Sequence, residues 1–354
     1  MKIKSVKAHR KNLALQKPYT IASETIADVE NIFFEVTLEN GVTGMGAANP
    51  SPEVVGETAL QTWHNLQSDF VHSLPGRDIR HFLPIIDECC KKFPHLPGTM
   101  ACIDIALHDA FCQWLGVPVV TFYGKKHHKM LTSVTIGIKD VAATLEEAME
   151  YHAQGFKILK VKTGLHPQQD AERVIKLREK FGSHFIIRVD ANTGYTLAQL
   201  IQFIETTKKA DIELIEQPLL PADDNALLQL PEATRRMIAA DESLINIEDA
   251  LSIARDNRYG IVNIKLMKCG GIAAAMKMAT IAQPAAIDLF WGCNDESMIS
   301  ITAALHAAFA CTHTKYLDLD GSFDLAEDIV TGGFILKDGY LYCNEKPGLG
   351  LIRL

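Results

Sequence analysis

Short apolar or β-branched runs begin near Leu131, Ile158, Ile186, Ile212, Met237, Ile261, Asp288 and Tyr316, a regular spacing of 24 to 28 residues. Between them lie stretches whose apolar residues recur three and four apart, as in Asp170-Ala171-Glu172-Arg173-Val174-Ile175-Lys176-Leu177. That period belongs to a helix with one buried face. A helix between successive strands returns the chain to the end where it started, so the strands must be parallel. Eight such modules predict an α/β fold, a (β/α)7-8 TIM-type barrel whose last module ends early. An open doubly wound sheet is the alternative. It usually carries G-x-G-x-x-G after its first strand, and no such loop stands there.

The remainder of the chain reads as a lid on that barrel. Residues 1–48 alternate at period two, as in Asn31-Ile32-Phe33-Phe34-Glu35-Val36-Thr37-Leu38 before the turn Glu39-Asn40-Gly41, which predicts an antiparallel meander. Helical spacing follows from about Glu53 to Gly116, and strand and turn residues resume from about Gly332. The expected organisation is an α+β capping domain over residues 1–125, a catalytic barrel over 126–325, and a tail, 326–354, that returns to the capping domain. With 35 basic and 43 acidic residues the net charge is −8, which argues against nucleic acid or an anionic membrane as partner. No apolar run is long enough to span a membrane, and the N-terminus is not a signal segment. The eight cysteines form no C-x-x-C, so a reducing cytoplasm is the expected location.

Barrels of this kind place their chemistry at the C-terminal ends of the strands. Three consecutive strands end in carboxylates there: Asp190, Glu216 and Asp241. Neighbouring strands lie about 4.8 Å apart, so these groups can converge, and without a cation they would repel one another. An all-oxygen shell suits Mg²⁺ or Mn²⁺ better than zinc. Each carboxylate alone could instead cap the following helix; three in succession favour the metal. Lys160 and Lys162, one residue apart, face the same side of their strand and are expected to depress each other's pKa. Lys265 lies across the barrel, so two amines could serve opposite faces of one carbon. Lys268, just beyond it, reads as solvated or helix-capping.

The set Lys160-Val161-Lys162, Asp190-Ala191-Asn192, Glu216-Gln217-Pro218, Asp241-Glu242-Ser243 and Lys265 resembles the enolase superfamily, in its muconate-lactonizing subgroup. Gly44-Met45-Gly46 and the segment Cys102 to Asp109 before Leu115-Gly116-Val117-Pro118 extend the resemblance over nearly the whole chain. It implies one Mg²⁺ per subunit, with Mn²⁺ possible, held by Asp190, Glu216 and Asp241, with Asn192 behind them. It also implies a lysine base that removes the α-proton of a carboxylate substrate. On that pattern Lys162 and Lys265 are the acid/base pair, Lys160 supports Lys162, and the protein is a homo-oligomer.

Within the subgroup, Tyr316-Leu317-Asp318-Leu319-Asp320-Gly321 resembles the dipeptide epimerases, where the acidic pair binds the free ammonium of a dipeptide. Thr135, Cys293 and Asp295 are expected to line the peptide. Epimerases for Ala-Glu carry an arginine in the N-terminal lid loop. Counting from Lys17-Pro18, that position is Glu24 here, which favours a cationic side chain over an acidic one if Glu24 faces the pocket. The expected activity is therefore isomerisation of cationic or hydrophobic dipeptides at the C-terminal α-carbon. The alternatives are an N-acylamino acid racemase or o-succinylbenzoate synthase of the same subgroup, and a non-catalytic peptide-binding barrel.

Overall fold

The computed structural model describes residues 1–20 and 25–354. Its first sheet is an antiparallel meander of β1 (Ile3–Thr20), β2 (Thr25–Leu38) and β3 (Thr43–Ala48). The helix Pro97–Leu115 packs on it and is buried along most of its length. Gly44 and Gly46 permit that contact: a Cβ on Gly46 would stand 1.9 Å from the carbonyl oxygen of Cys102, and one on Gly44 2.3 Å from that of Ala106.

Next come β4 (Met130–Leu131), β5 (Val134–Ile136), β6 (Ile158–Lys162), β7 (Ile186–Asp190) and β8 (Ile212–Glu216), then β9 (Ile238–Ala240), β10 (Ile261–Ile264), β11 (Asp288–Trp291) and β12 (Thr314–Leu317). Strands β5 to β12 form one parallel eight-stranded sheet in sequence order. Its ends meet through a single parallel bridge, Thr132 to Leu317, which closes the barrel. The β-branched content of β7 and β10 suits strands covered on both faces. The loops leaving the strands begin their helices with side-chain caps: Asp140 for Val141–Ala153, Thr196 with Gln199 for Leu197–Thr207, and Asn246 with Asp249 for Ile247–Asp256.

Two details differ from the sequence reading. Leu131 is not in the barrel: β4 pairs with a tail hairpin of two strands, Phe334–Lys337 and Tyr340–Cys343, and the first barrel strand is β5. Between β8 and β9 a 3₁₀ segment, Pro221–Gln229, and one helical turn, Glu232–Arg235, replace a full helix. After β12 the chain leaves the barrel and meets the meander where Leu15 bridges Leu325 and, in the tail, Arg353 pairs with Glu35.

Buried carboxylates join cap and barrel. Asp104, on the capping helix, accepts from Ile272 N at 2.6 Å and Ala273 N at 3.2 Å, at the start of the barrel helix Ile272–Ala282. Removing it strands one buried and one partly buried amide, so Asp104→Ala should cost about 2–3 kcal/mol in denaturant unfolding. A change under about 0.5 kcal/mol would show that the clamp contributes nothing.

Candidate active site

Register assembles the site. Lys162 lies opposite Asp190, Asp190 opposite Glu216, and Glu216 opposite Ala239, two residues before Asp241. All stand at the C-terminal ends of their strands. Because side chains alternate, Lys160 shares the inward face with Lys162, Arg188 with Asp190, and Asn263 with Lys265.

Asp190, Glu216 and Asp241 are buried. Burial opposes charge on Asp190, but Lys160 and Lys162 outweigh it and hold the carboxyl below its usual range. Lys265 and Lys268 do the same for Asp241. Glu216 goes the other way: burial and the charge of Asp190 push it up to about 8.

The lysines divide into two kinds. Lys160 is buried and paired with three carboxylates, at 3.0 Å from Asp190, 2.9 Å from Glu216 and 2.7 Å from Asp318. Burial opposes its charge, but Asp190, Asp318 and Glu216 prevail and raise it well above the ordinary lysine range. The expectation that its neighbour Lys162 would depress it is therefore corrected: the carboxyl groups at contact distance, Asp190 and Asp318 foremost, decide the sign. Lys162 and Lys265 face the barrel mouth, with side chains 31% and 13% exposed. Lys162 Nζ donates to Asp190 at 2.7 Å and to Asn192 at 2.9 Å, while Lys265 Nζ is 2.9 Å from Asp241. Burial opposes the charge on Lys265 too, and Asp241 reverses that and raises it.

Lys268 is a second correction. It is buried rather than solvated, and donates to the Asp241 carboxylate, to the Asp241 carbonyl at 2.5 Å and to the Asn263 carbonyl at 3.2 Å. The helical turn Leu266–Cys269, starting directly after Lys265, carries Lys268 back towards the same carboxylate.

The donor chemistry fits a hard divalent cation. The three groups offer only carboxylate oxygens, and buried Glu216 Oε2, 2.9 Å from the Lys160 ammonium, accepts no well-aligned hydrogen bond. Among the described residues no three acidic, His or Cys side chains are arranged, as they stand, to hold a metal ion. The ammonium groups of Lys160, Lys162, Lys265 and Lys268 occupy the carboxylate oxygens instead.

At the end of β12 the acidic pair is unequal. Asp318 is buried, with Oδ2 on Lys160 and Oδ1 accepting from Ser133 Oγ at 2.6 Å. Asp320 is partly exposed and accepts from Thr135 N at 2.8 Å; burial and Asp318 push it up to about 7. Cys293 Sγ donates to the Asp318 carbonyl at 3.2 Å and accepts from Gly321 N. The carbonyl of Asp295 accepts from Asn49 Nδ2 at 2.6 Å, which ties the loop after β11 to the cap. Glu24 lies outside the described residues.

Several contributors escaped the sequence reading. Asn263 Nδ2 donates to Glu216 Oε1 at 2.7 Å, and Gln217 Oε1 accepts from Asp241 N at 2.8 Å and Ser243 N at 3.1 Å. The period of β10 could have marked Asn263, two residues before Lys265. Gln217 stands in the Glu216-Gln217-Pro218 motif named above, but with a φ of 30° it follows no strand period that would assign its side chain this role.

Comparison with known proteins agrees with this geometry. The family model "Enolase C-terminal domain-like" matches residues 143–352, and "Mandelate racemase / muconate lactonizing enzyme, N-terminal domain" matches residues 3–124. The chain is 48% identical, over the full length of both, to a protein of Desulforapulum autotrophicum named L-Lys-D/L-Arg epimerase. It is 33% identical, over 99% of each chain, to the hydrophobic dipeptide epimerase of Enterococcus faecalis. The crystal structure of a dipeptide epimerase from Methylococcus capsulatus, complexed with Mg and L-Arg-D-Lys, is 47% identical and superposes with a TM-score of 0.97, covering 99% of this chain and 100% of that one. The chain thus belongs to the mandelate racemase/muconate lactonizing enzyme family of the enolase superfamily.

Proposed function

We propose that this protein is a Mg²⁺-dependent epimerase of cationic dipeptides, inverting the α-carbon of the C-terminal residue. One observation carries the reading: two mouth-facing lysines, Lys162 on β6 and Lys265 after β10, approach one carboxylate cluster from opposite sides of the barrel. A substrate carboxylate drawn into that cluster would set its α-carbon between two amines. One lysine takes the proton from one face, and the other returns a proton to the opposite face. Lys160, buried and triply paired, stays charged and serves as a fixed positive charge beside the developing anion. Asp190, Glu216 and Asp241 would hold the metal. When bound, Mg²⁺ would neutralise the substrate carboxylate and the negative charge that grows on it.

Asp318 and Asp320 supply negative charge for the peptide's N-terminal ammonium. Partly exposed Asp320 is the more accessible of the two. The preference for cationic side chains rests on the similarity to L-Lys-D/L-Arg epimerase and on Glu24 in place of arginine.

The reading is tested by incubating a dipeptide library with the enzyme and Mg²⁺ in D₂O and detecting α-deuterium by mass. Label is expected in dipeptides ending in Lys or Arg, with little in those ending in Glu. Exchange confined to N-succinyl amino acids would overturn it.

A further inference from the structure

The barrel's seam is its least regular junction. Where β5 meets β12, one bridge replaces a ladder, and yet Asp318, the next residue after β12, must hold its place in the site. Side chains compensate: Thr132 Oγ1 accepts from Leu319 N at 2.9 Å, Asp320 accepts from Thr135 N, and two more hold Leu317 and Asp318. Arg188 is almost fully buried inside the barrel. Its Nε pairs with Glu213 at 2.6 Å, and its Nη1 donates to the Leu317 carbonyl at 2.7 Å and to Ser133 Oγ at 3.5 Å. The Leu317 carbonyl also accepts from Ser133 N at 3.1 Å. Ser133 has one hydroxyl proton, and its shorter, charged acceptor is Asp318 Oδ1 at 2.6 Å. The direction of donation is consistent throughout: Arg188 to Ser133, Ser133 to Asp318, with Lys160 donating to the other oxygen of Asp318 at 2.7 Å.

We infer that Ser133 and Arg188 are positioning residues for the ammonium subsite, a seam clamp that fixes Asp318 and, through it, Lys160. Their placement serves this role. Ser133 stands just before β5 and Arg188 two residues before Asp190, so neither lies at the barrel mouth where substrate would dock. A carboxylate already held by a hydroxyl and an ammonium loses little freedom when it meets a second cation. Released from Ser133, Asp318 gains rotamers, and binding of a free ammonium must order it again. The consequence falls on substrate binding more than on the proton-transfer step. This inference rests on the dipeptide reading for its kinetic effect, but not for the position of Asp318.

The test uses the full-length enzyme with Mg²⁺ and the dipeptide L-Lys-L-Arg. Ser133→Ala should raise KM roughly tenfold while kcat changes less than about threefold. Ser133→Thr, which keeps the hydroxyl, should restore KM, and Arg188→Met should repeat the KM effect if it folds. A crystal structure of Ser133→Ala should show Asp318 turned from its wild-type position. An unchanged KM, or a loss confined to kcat, would overturn the clamp. Asp318 unmoved in the Ser133→Ala crystal would also overturn it, even if the wild-type enzyme turned over no dipeptide and the functional reading itself had failed.

Discussion

Lys162→Ala and Lys265→Ala should each lower epimerisation by on the order of a thousandfold, yet each should still exchange the α-proton of one epimer. The two amines stand on opposite sides of the barrel, so each reaches one face of the α-carbon. Inversion needs both, since a proton taken from one face must be replaced from the other. Exchange with solvent needs one, because a lysine can return to the same face a proton or deuteron of its own. Each variant should therefore label only the epimer whose α-hydrogen points to the surviving lysine, and the two should label opposite epimers. Lys160→Ala should differ, slowing exchange of both epimers together, because its buried ammonium supplies charge to either direction. If either single variant kept full epimerase activity, or if both exchanged the same epimer, the assignment of the two lysines would fail.

The second large effect concerns the metal. Asp241→Asn should weaken Mg²⁺ binding by at least about a hundredfold in calorimetry, and chelation should abolish turnover until Mg²⁺ is restored. The pH dependence follows from Glu216. Its carboxyl is pushed from 4.5 up to about 8 by burial and by Asp190, while Asp190 and Asp241 are held low by their lysines. In the metal-free protein Glu216 therefore holds a proton that the unfolded chain has already released above the ordinary carboxylate range. That contribution favours folding at low pH and is lost as pH rises through about 8. A cation must displace the proton, so Mg²⁺ should bind more tightly, and raise Tm more, at about pH 8.5 than at about pH 6. Affinity that did not change across this interval would remove Glu216 from the metal set.

The sequence carried the architecture because the barrel is repetitive. Strands covered on both faces must be short and apolar, and most of their connecting helices show a polar face, so the beat that begins near Ile158 coincides with real strands. It misled at Leu131, where a short apolar run pairs with the tail hairpin instead. Pattern alone does not distinguish sheets brought together by residues two hundred positions apart. The carboxylates and lysines were legible because a strand end fixes where a side chain points. Lys268 was not, since its direction depends on a helical turn that begins directly after β10. The pKa direction of Lys160 was missed for a related reason. Its neighbour in sequence is a cation, whereas its neighbours in space, Asp190, Glu216 and Asp318, come from three other strands or strand ends. Ser133 and Arg188 belong to the same class: their meaning comes from the closure of the barrel, which no single segment encodes.

The central claim, proton exchange with inversion at the C-terminal α-carbon of a cationic dipeptide, is tested most directly by proton NMR of L-Lys-L-Arg in D₂O with the Mg²⁺-loaded enzyme. The arginine α-proton signal should disappear, the lysine α-proton should stay, and the L,D epimer should accumulate carrying deuterium at the arginine α-carbon until the two epimers approach comparable amounts. Retention of the arginine α-proton, exchange at the lysine residue, or exchange without any epimer formed would contradict it.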